Sequence, residues 1–287
     1  MVKLALLIGI GDYPKGIFKS YKPLKGPQND VERLSYVLRD EFGFEFMGNT
    51  PYHLNLKRSE ILDRMERLKQ EIKNKDGSTV LFYYSGHGYQ IREKKGDSPP
   101  DELKDKKDEA LVPLDAEYIL DDELFQYTQE LHQAADDLHL VFIIDACHSG
   151  TILRKKIYKR DADTTLVGRI APDRVKPIEA LPATHPKRGT SGWLSDQDVP
   201  PSYILLAACK DNQLAVERKF EETEEKTTFG VYTYFLVNEL LHMHQIGKDW
   251  SYQDLQSRVR KNVISLYSDQ VPDIEGASHL QVFKGDW

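Results

Sequence analysis

Four short apolar runs stand out along the chain, each bounded by polar or turn-forming residues. They cover residues 4–10, 79–84, 140–144 and 203–208. Their length and their content of β-branched and aromatic residues are typical of strands that are buried on both faces. The pattern therefore predicts a central, mostly parallel β-sheet.

Between these runs, apolar residues recur at helical spacing. Two such faces are Val31, Leu34, Val37 and Leu38, and then Ile61, Leu62, Met65, Leu68 and Ile72. Further helices are expected at 121–137, 229–244 and 252–266, the last opened by a Ser251–Asp254 capping box, and a short final strand at 280–283. Strands that alternate with helices predict an α/β fold, here a single domain over residues 1–287 with helices flanking the sheet.

Two segments interrupt this alternation. Residues 92–108 are densely charged, and residues 154–201 are first basic and then interrupted by prolines. Proline removes a backbone donor and breaks regular elements, so both segments are expected to be surface loops. The second is long for a connection inside a compact domain, and we expect it to be mobile.

Composition and charge narrow the class of protein. The 39 basic and 46 acidic residues give a formal net charge of −7, which argues against nucleic acid or an anionic membrane as a partner. No apolar run approaches the roughly 20 residues of a membrane helix, and residues 4–10 are interpreted as a strand rather than a signal peptide. With two cysteines, Cys147 and Cys209, a disulfide framework is not expected. We expect a soluble, cytoplasmic monomer.

Small-residue motifs follow two of the predicted strands. Ser85-Gly86-His87-Gly88 follows one, and Asp145-Ala146-Cys147-His148-Ser149-Gly150 follows the other. Ligands bind beyond the carboxyl ends of parallel strands, so neighbouring strands would bring His87 and Cys147 to one site. An imidazole can take the thiol proton and later deliver it to a leaving amine. The backbone amides of Gly88 and Cys147 are the expected donors to the oxyanion.

Each residue also has a structural explanation when it is taken alone. A cysteine at a strand end is often a small core residue, and a histidine between glycines is often a turn residue. The two motifs together favour catalysis. His148 is assigned a structural role, since neighbours in an extended segment point to opposite sides, and Cys209 is expected in the core.

Several segments along the chain match a known family. They are Leu6–Tyr13, Leu24–Val31, Tyr84–Gly88, Asp108–Ala110, Asp121–Leu124, Asp145–Gly150, Leu206–Cys209 and Gly230–Tyr234. On these motifs the chain resembles the metacaspase-type cysteine peptidases in their prokaryotic, orthocaspase-like form, which have the caspase fold and belong to clan CD. The caspase cue Gln-Ala-Cys-x-Gly is not met, because Asp145 stands in place of the glutamine.

The resemblance implies an acidic S1 pocket formed by Asp30, Ser85 and Asp145, and a protein or peptide substrate cut after arginine or, less well, lysine. Two carboxylates suit a guanidinium group, and their mutual repulsion predicts weaker cleavage in mild acid. Asp30 or Asn29 could instead cap a helix that begins near Val31. Asp145 could be an ordinary strand-end carboxylate.

The resemblance also implies candidate calcium ligands at Asp108, Asp121 and Asp122. Arg154 falls where the family often has a further aspartate, so weak calcium dependence or none is expected, and no other cofactor is implied. Asp121 and Asp122 could equally begin a helix and stabilise its dipole.

The basic part of the long loop offers sites for self-cleavage. The candidates are Lys155, Lys156, Lys159, Arg160, Lys187 and Arg188. A solvated linker is the simpler explanation for these charges. Two alternatives to a peptidase remain: a catalytically quiet scaffold, which the intact Cys147 and His87 speak against, and an acyl-transfer enzyme acting on small amides or esters. The sequence leaves open a regulatory protein partner.

Overall fold

A computed structural model describes residues 1–18, 23–92, 107–147, 167–169, 203–210, 213–221 and 227–284. The strands are β1 (Lys3–Gly9), β2 (Glu45–Phe46), β3 (His53–Leu54), β4 (Thr79–Ser85), β5 (Gly88–Arg92), β6 (Lys107–Leu111), β7 (Ile119–Leu120), β8 (His139–Asp145), β9 (Val167–Gly168), β10 (Tyr203–Ala207), β11 (Val216–Lys219), β12 (Thr228–Gly230) and β13 (Asp273–Gly276). The α-helices are α1 (Gly26–Phe42), α2 (Arg58–Ile72), α3 (Asp121–Ala134), α4 (Val231–Gln245) and α5 (Tyr252–Leu266). A 3-10 turn covers Met47–Asn49.

The central sheet has the strand order β13-β10-β8-β4-β1-β2, with β3 also paired to β1. All of these pairs are parallel except β13, which runs antiparallel to β10. The four apolar runs predicted as strands are its four central strands. Strand β4 pairs with β8 over its whole length, so the two strands end side by side. This confirms the predicted α/β class.

Helices cover both faces of the sheet, and the core is split accordingly into two apolar layers. Along β1, Leu4, Leu6 and Ile8 face one layer, whereas Ala5 and Leu7 face the other. This alternation follows from the period of two of a strand. Helices α2 and α3 cover the first layer, and α1, α4 and α5 cover the second. Among the described residues, none of the helices is long and apolar enough to cross a membrane.

The predicted helices are present, with shifted ends. Helix α5 covers the expected 252–266, and its capping box is formed: the Asp254 N–H donates to Ser251 Oγ at 3.1 Å. Helix α1 begins at Gly26 rather than near Val31. Asn29 and Asp30 therefore lie inside the helix, and the idea that either one caps it is wrong.

The expected final strand at 280–283 is also wrong. The last strand is β13, and the later segment contributes an isolated bridge between Ser251 and Gln281. The apolar side chain of Phe283 is buried by edge-on packing against Phe42 and Phe44, with ring centroids 5.1 Å apart in each case. Burial by aromatic packing needs no strand pairing, so the apolar pattern was a poor guide here.

Two three-stranded sheets lie apart from the central one. One has the order β5-β6-β7 and the other β12-β11-β9. Strand β9 belongs to the segment expected to be a mobile loop over 154–201. That expectation is wrong for residues 167–169, because β9 pairs with β11; the rest of the segment lies outside the described residues.

Candidate active site

The predicted nucleophile and its predicted proton-transfer partner follow two neighbouring strands. The register of β4 and β8 places Ser85 opposite Asp145. His87 and Cys147 each come two residues later, so they leave the sheet at equivalent positions of adjacent strands. Both side chains are fully buried. The sequence-based expectation that they share one end of the sheet agrees with this register.

Aromatic side chains pack against the imidazole ring of His87. Its ring lies against Tyr13, with the ring centroids 4.8 Å apart, and edge-on to Phe18 at 6.4 Å. The backbone is also fixed, because the His87 N–H donates to Tyr13 Oη at 3.0 Å and the Tyr84 hydroxyl donates to the His87 carbonyl at 3.0 Å. The imidazole therefore has a defined backbone and one apolar side.

The backbones of the two motifs touch directly. A Cβ on Gly88 would lie 1.9 Å from the Cys147 carbonyl oxygen, so a side chain at this position would collide with the backbone that bears the nucleophile. The Cys147 thiol donates to the Ala215 carbonyl at 2.9 Å. Glycine at position 88 is thus required by close approach of the two chains.

The carbonyl oxygen of Arg169 accepts hydrogen bonds from both backbone amides that were predicted to bind the oxyanion. The N–H of Gly88 donates to the Arg169 carbonyl at 3.0 Å, and the N–H of Cys147 donates to the same oxygen at 3.4 Å. Two converging backbone donors are the arrangement that stabilises an oxyanion during acyl transfer. Sequence reasoning had named these two donors and had missed the residue that they bind.

The side chain of Arg169 enters the predicted acidic pocket. Its Nη2 lies 2.6 Å from Asp30 Oδ2, and its Nη1 donates to Ser85 Oγ at 2.7 Å. The Nη1 atom also lies 3.2 Å from Asp145 Oδ1. All four side chains are fully buried. The structure therefore brings the three predicted pocket residues together around one guanidinium group.

A third carboxylate completes the pocket. Glu217 Oε2 lies 3.7 Å from Arg169 Nη2. Its two oxygens also accept the backbone N–H groups of Lys25 and Gly26, each at 2.9 Å. Glu217 therefore joins strand β11 to the start of helix α1 and adds negative charge to the pocket. Sequence reasoning had missed it.

Hydrogen bonds from α4 and the residue before it orient the two aspartates. The N–H of Gly230 donates to Asp30 Oδ1 at 2.9 Å. The hydroxyl of Thr233 donates to Asp145 Oδ2 at 2.6 Å, and its N–H does so at 3.2 Å. Tyr83 Oη lies 2.7 Å from the same hydroxyl. In each aspartate, one carboxylate oxygen accepts these hydrogen bonds and the other faces Arg169.

Burial raises the pKa of the Asp30 carboxyl to about 6 from its ordinary 3.8; Arg169 opposes this rise and the charge of Asp145 adds to it. Burial alone would lower the pKa of Arg169, but the surrounding carboxylates outweigh burial and raise it. The guanidinium stays charged at any physiological pH. The carboxylates therefore surround a permanent cation, and Asp30 gains a proton as the pH falls through about 6.

Two glycines leave room for the guanidinium. A Cβ on Gly26 would lie 2.4 Å from Arg169 Nη2, and one on Gly230 would lie 2.8 Å from its Cζ. A side chain at either position would shorten or narrow the pocket. The depth of the pocket thus depends on two residues without side chains.

The candidate calcium site stays a prediction, because only Asp121 and Asp122 of its three ligands have side chains in the described part of the chain. There, no group of three or more histidine, cysteine, aspartate or glutamate residues is placed to hold a metal ion, and the side chain of Asp108 lies outside the described residues. Asp121 and Asp122 open helix α3, and Asp121 Oδ1 accepts the Asp122 N–H at 2.9 Å. Their acidic side chains suit a helix N-terminus, as the alternative explanation held.

Of the remaining predicted residues, one lies in the core and the others lie outside the described residues. Cys209 is buried in the apolar layer that also contains Cys147, as expected. His148, Arg154 and the self-cleavage candidates Lys155, Lys156, Lys159, Arg160, Lys187 and Arg188 lie outside the described residues. Arg169, which was not among those candidates, is the basic residue that the structure places at the site. Val167, two residues before it, and Ile170, directly after it, are apolar, unlike the charged surroundings of Lys159 and Arg160, and this difference was a usable signal.

Fold and site together define a caspase-like α/β protein, and comparisons with known proteins agree. The family described as "Caspase domain" matches residues 2–283. The chain belongs to this caspase domain family. The predicted resemblance to a caspase-fold family is therefore confirmed.

Relatives and solved structures give the same result. Metacaspase-1 of Eremothecium gossypii is 25% identical over 97% of this chain and 64% of its own length. Metacaspase III c of Phaeodactylum tricornutum is 31% identical over 56% of this chain and 47% of its own length, so the chain spans less than two thirds of either relative. Among crystal structures, a Geobacter sulfurreducens protein superposes with a TM-score of 0.67 at 18% identity, covering 99% of both chains. Caspase-1 of Spodoptera frugiperda gives 0.56 at 16% identity, covering 98% of this chain and 89% of its own.

Proposed function

We propose that this chain is a cysteine endopeptidase that cleaves after arginine and, less efficiently, after lysine. Cys147 is the nucleophile and His87 transfers the proton. One observation carries the proposal: Arg169 has its guanidinium among Asp30, Ser85 and Asp145 while its carbonyl lies on the amides of Gly88 and Cys147. A residue held at both ends in this way occupies the position that a P1 arginine needs.

The reaction is acyl transfer. The Cys147 thiol gives its proton to His87 and the sulfur attacks the P1 carbonyl carbon, while the two backbone amides stabilise the negative charge on the oxygen. His87 then protonates the leaving amine, and the carbon–nitrogen bond breaks. Water, activated by His87, attacks the thioester, which releases the carboxylate and restores the thiol. No step requires a metal.

The preference for arginine follows from the shape of its cation. The planar guanidinium presents several N–H donors in fixed directions, and the two terminal nitrogens of Arg169 reach Asp30, Ser85 and Asp145 simultaneously. A lysine ammonium is a compact point charge on a shorter stem, so it satisfies fewer of these acceptors. An acidic P1 side chain would be repelled by the carboxylates of the pocket.

A substrate profile tests the proposal. Fluorogenic peptides that differ in P1 alone (Arg, Lys, Leu, Asp) are assayed with the wild-type chain and with Cys147→Ala, His87→Ala and Arg67→Ala. Arg67 is exposed on helix α2 and serves as the control. We expect the order Arg > Lys with no cleavage after Leu or Asp, loss of activity in the first two variants, and normal activity in the third. Equal cleavage after Leu and Arg, or full activity of Cys147→Ala, would disprove the proposal.

Chemical labelling separates the enzyme from the quiet scaffold. An arginyl chloromethylketone should alkylate Cys147 in the wild-type chain, and the equivalent aspartyl reagent should not. Mass spectrometry of the labelled peptide identifies the sulfur. If neither reagent labels Cys147 while a folded chain is confirmed by circular dichroism, the scaffold alternative is preferred.

A further inference from the structure

We infer that Arg169 is the P1 residue of a substrate carried within the chain, and that the enzyme cuts its own bond between Arg169 and Ile170 in cis. The inference rests on the proposed function. It differs from the self-cleavage sites predicted from the sequence, none of which is Arg169. Three independent observations support it: the contacts of the Arg169 side chain, the hydrogen bonds to the Arg169 carbonyl, and the strand pairing of residues 167–169.

The backbone of this segment is bound as an added strand. Strand β9 pairs antiparallel with β11, with Gly168 opposite Val216 and Val167 opposite Glu217. The N–H of Arg169 continues the pairing by donating to the Ala215 carbonyl at 3.0 Å. Strand addition to a sheet edge is a common way for a protein to bind an extended peptide, because main-chain hydrogen bonds align it whatever its side chains. Residues 167–169 thus bind as P3, P2 and P1.

One backbone oxygen brings the Cys147 thiol close to the backbone of Arg169. The Ala215 carbonyl oxygen accepts both the Arg169 N–H at 3.0 Å and the Cys147 thiol at 2.9 Å. The sulfur therefore lies close to the backbone of Arg169, the residue whose carbonyl oxygen accepts the Gly88 and Cys147 amides. A nucleophile beside a carbonyl whose oxygen is already bound is arranged for attack.

A purely structural arginine would explain only part of this arrangement. A buried ion pair requires the guanidinium and its carboxylates, and these contacts leave the carbonyl of Arg169 undetermined. Here both oxyanion amides bind that carbonyl, and the strand pairing fixes the direction of the chain. These two features are those of a peptide substrate, so cleavage is the inference that accounts for all the contacts.

The step consumes one water molecule. Cys147 Sγ bonds to the Arg169 carbonyl carbon, the bond to the Ile170 nitrogen breaks, and His87 supplies the proton that this nitrogen needs. Hydrolysis of the thioester then leaves a carboxylate on Arg169 and a free amine on Ile170. The two pieces stay associated, since β8 precedes the cut and β10, which follows it, pairs with β8 along the central sheet.

Cleavage would change the state of the site. Before it, Arg169 competes with any external substrate for the pocket and the oxyanion amides. After it, the new carboxylate is no longer tethered to the chain that follows and can leave. We therefore expect activity toward external peptides to rise as the bond is cut.

The experiment follows both events in the full chain. Freshly purified wild-type protein is incubated, and intact-mass spectrometry with N-terminal sequencing identifies the new ends while an Arg-P1 peptide reports turnover. We expect a fragment that begins at Ile170, a cleavage rate that does not change on tenfold dilution, and a lag in turnover that matches the cleavage rate. Cys147→Ala should stay intact, also when it is mixed with active wild-type protein.

Variants separate this inference from the proposed function. Arg169→Ala should remain uncut after position 169 and hydrolyse the Arg peptide without a lag, and Arg169→Lys, which keeps the charge, should be cut more slowly than wild type. Arg160→Ala should be cut after Arg169 at the normal rate. Wild-type protein that hydrolyses Arg peptides while the bond after Arg169 stays intact would overturn the inference and leave the proposed function standing. Failure to hydrolyse any Arg or Lys peptide, in folded wild type and folded Arg169→Ala alike, would overturn the proposed function.

Discussion

The Nη2 atom of Arg169 lies 2.6 Å from Asp30 Oδ2, and the two residues are separated by 139 positions in sequence. Both side chains are fully buried. Burying opposite charges costs solvation free energy that is recovered only when the geometry is good and the remaining donors and acceptors are satisfied. Ser85, Asp145, Gly230 and Thr233 satisfy much of that requirement here. These contacts support the proposed selectivity of the pocket for a cation of this shape.

The first prediction concerns pH. The raised pKa of Asp30, about 6, means that this carboxyl gains a proton as the pH falls through 6, and the pocket then loses one negative charge. A hydrogen bond to a charged group contributes about 1.5–3 kcal/mol, so we expect kcat/KM for Arg peptides to fall about 10- to 100-fold, mainly through KM. Initial rates between pH 4.5 and 8 measure this.

Asp30→Asn is the matched variant for the pH prediction. It should show the low kcat/KM already at pH 7.5 and lose the KM change near pH 6. Unfolding of the wild-type chain through Asp30 is not the cause, because a folded-state pKa above the ordinary 3.8 favours the folded state most below pH 4 and loses that contribution as the pH rises through 6. A wild-type KM that stays flat down to pH 4.5 contradicts the prediction.

The second prediction concerns pocket depth. In Gly26→Ala the added methyl would lie 2.4 Å from the position of Arg169 Nη2. An arginine side chain can no longer reach full depth, whereas the shorter reach of lysine is less affected. We expect the ratio of kcat/KM for Arg over Lys peptides to fall at least about tenfold, which corresponds to about 1.4 kcal/mol. The Lys peptide is the internal control, and an unchanged ratio in a folded variant rules the prediction out.

The third prediction concerns a positioning residue. Thr233 donates its hydroxyl to Asp145 Oδ2 at 2.6 Å, and Thr233→Val removes this bond with little change in volume. We expect KM for Arg peptides to rise about tenfold and kcat to change little, because an unsatisfied buried acceptor costs about 1–3 kcal/mol and the acyl-transfer groups are untouched. Thr233→Ser restores the hydroxyl and should restore KM. An equal loss of kcat in both variants would indicate a general structural defect instead.

The fourth prediction concerns calcium. Arg154 stands where the family resemblance implies an acid, and the described residues do not assemble a metal-binding group. We expect neither kcat/KM nor the Tm to change when millimolar calcium is added after treatment with EGTA, because a bound cation would stabilise the folded state. A rise in both, lost in Asp121→Asn, would show a calcium site that the described residues do not form alone.

Local pattern was sufficient for the scaffold and for the candidate dyad. The strand runs are apolar on both faces, and the Gly-flanked motifs at their ends are contiguous in sequence, so parallel pairing alone places His87 near Cys147. The strand prediction failed at residues 280–283, because a short apolar pattern is compatible with more than one structure. Val282 and Phe283 are apolar and buried, yet aromatic packing rather than strand pairing buries Phe283.

By itself, the sequence determined the order and type of the central elements and named Gly88 and Cys147 as the expected oxyanion donors, because hydrophobic period and strand-end motifs are short-range features. The tertiary structure alone decided that Glu217 and Thr233 join the pocket and that Arg169 fills it. The reason is physical: a charged residue inside a loop segment is ordinarily solvated, and its burial becomes favourable only when distant carboxylates are brought around it by the register of the sheet and the start of helix α1.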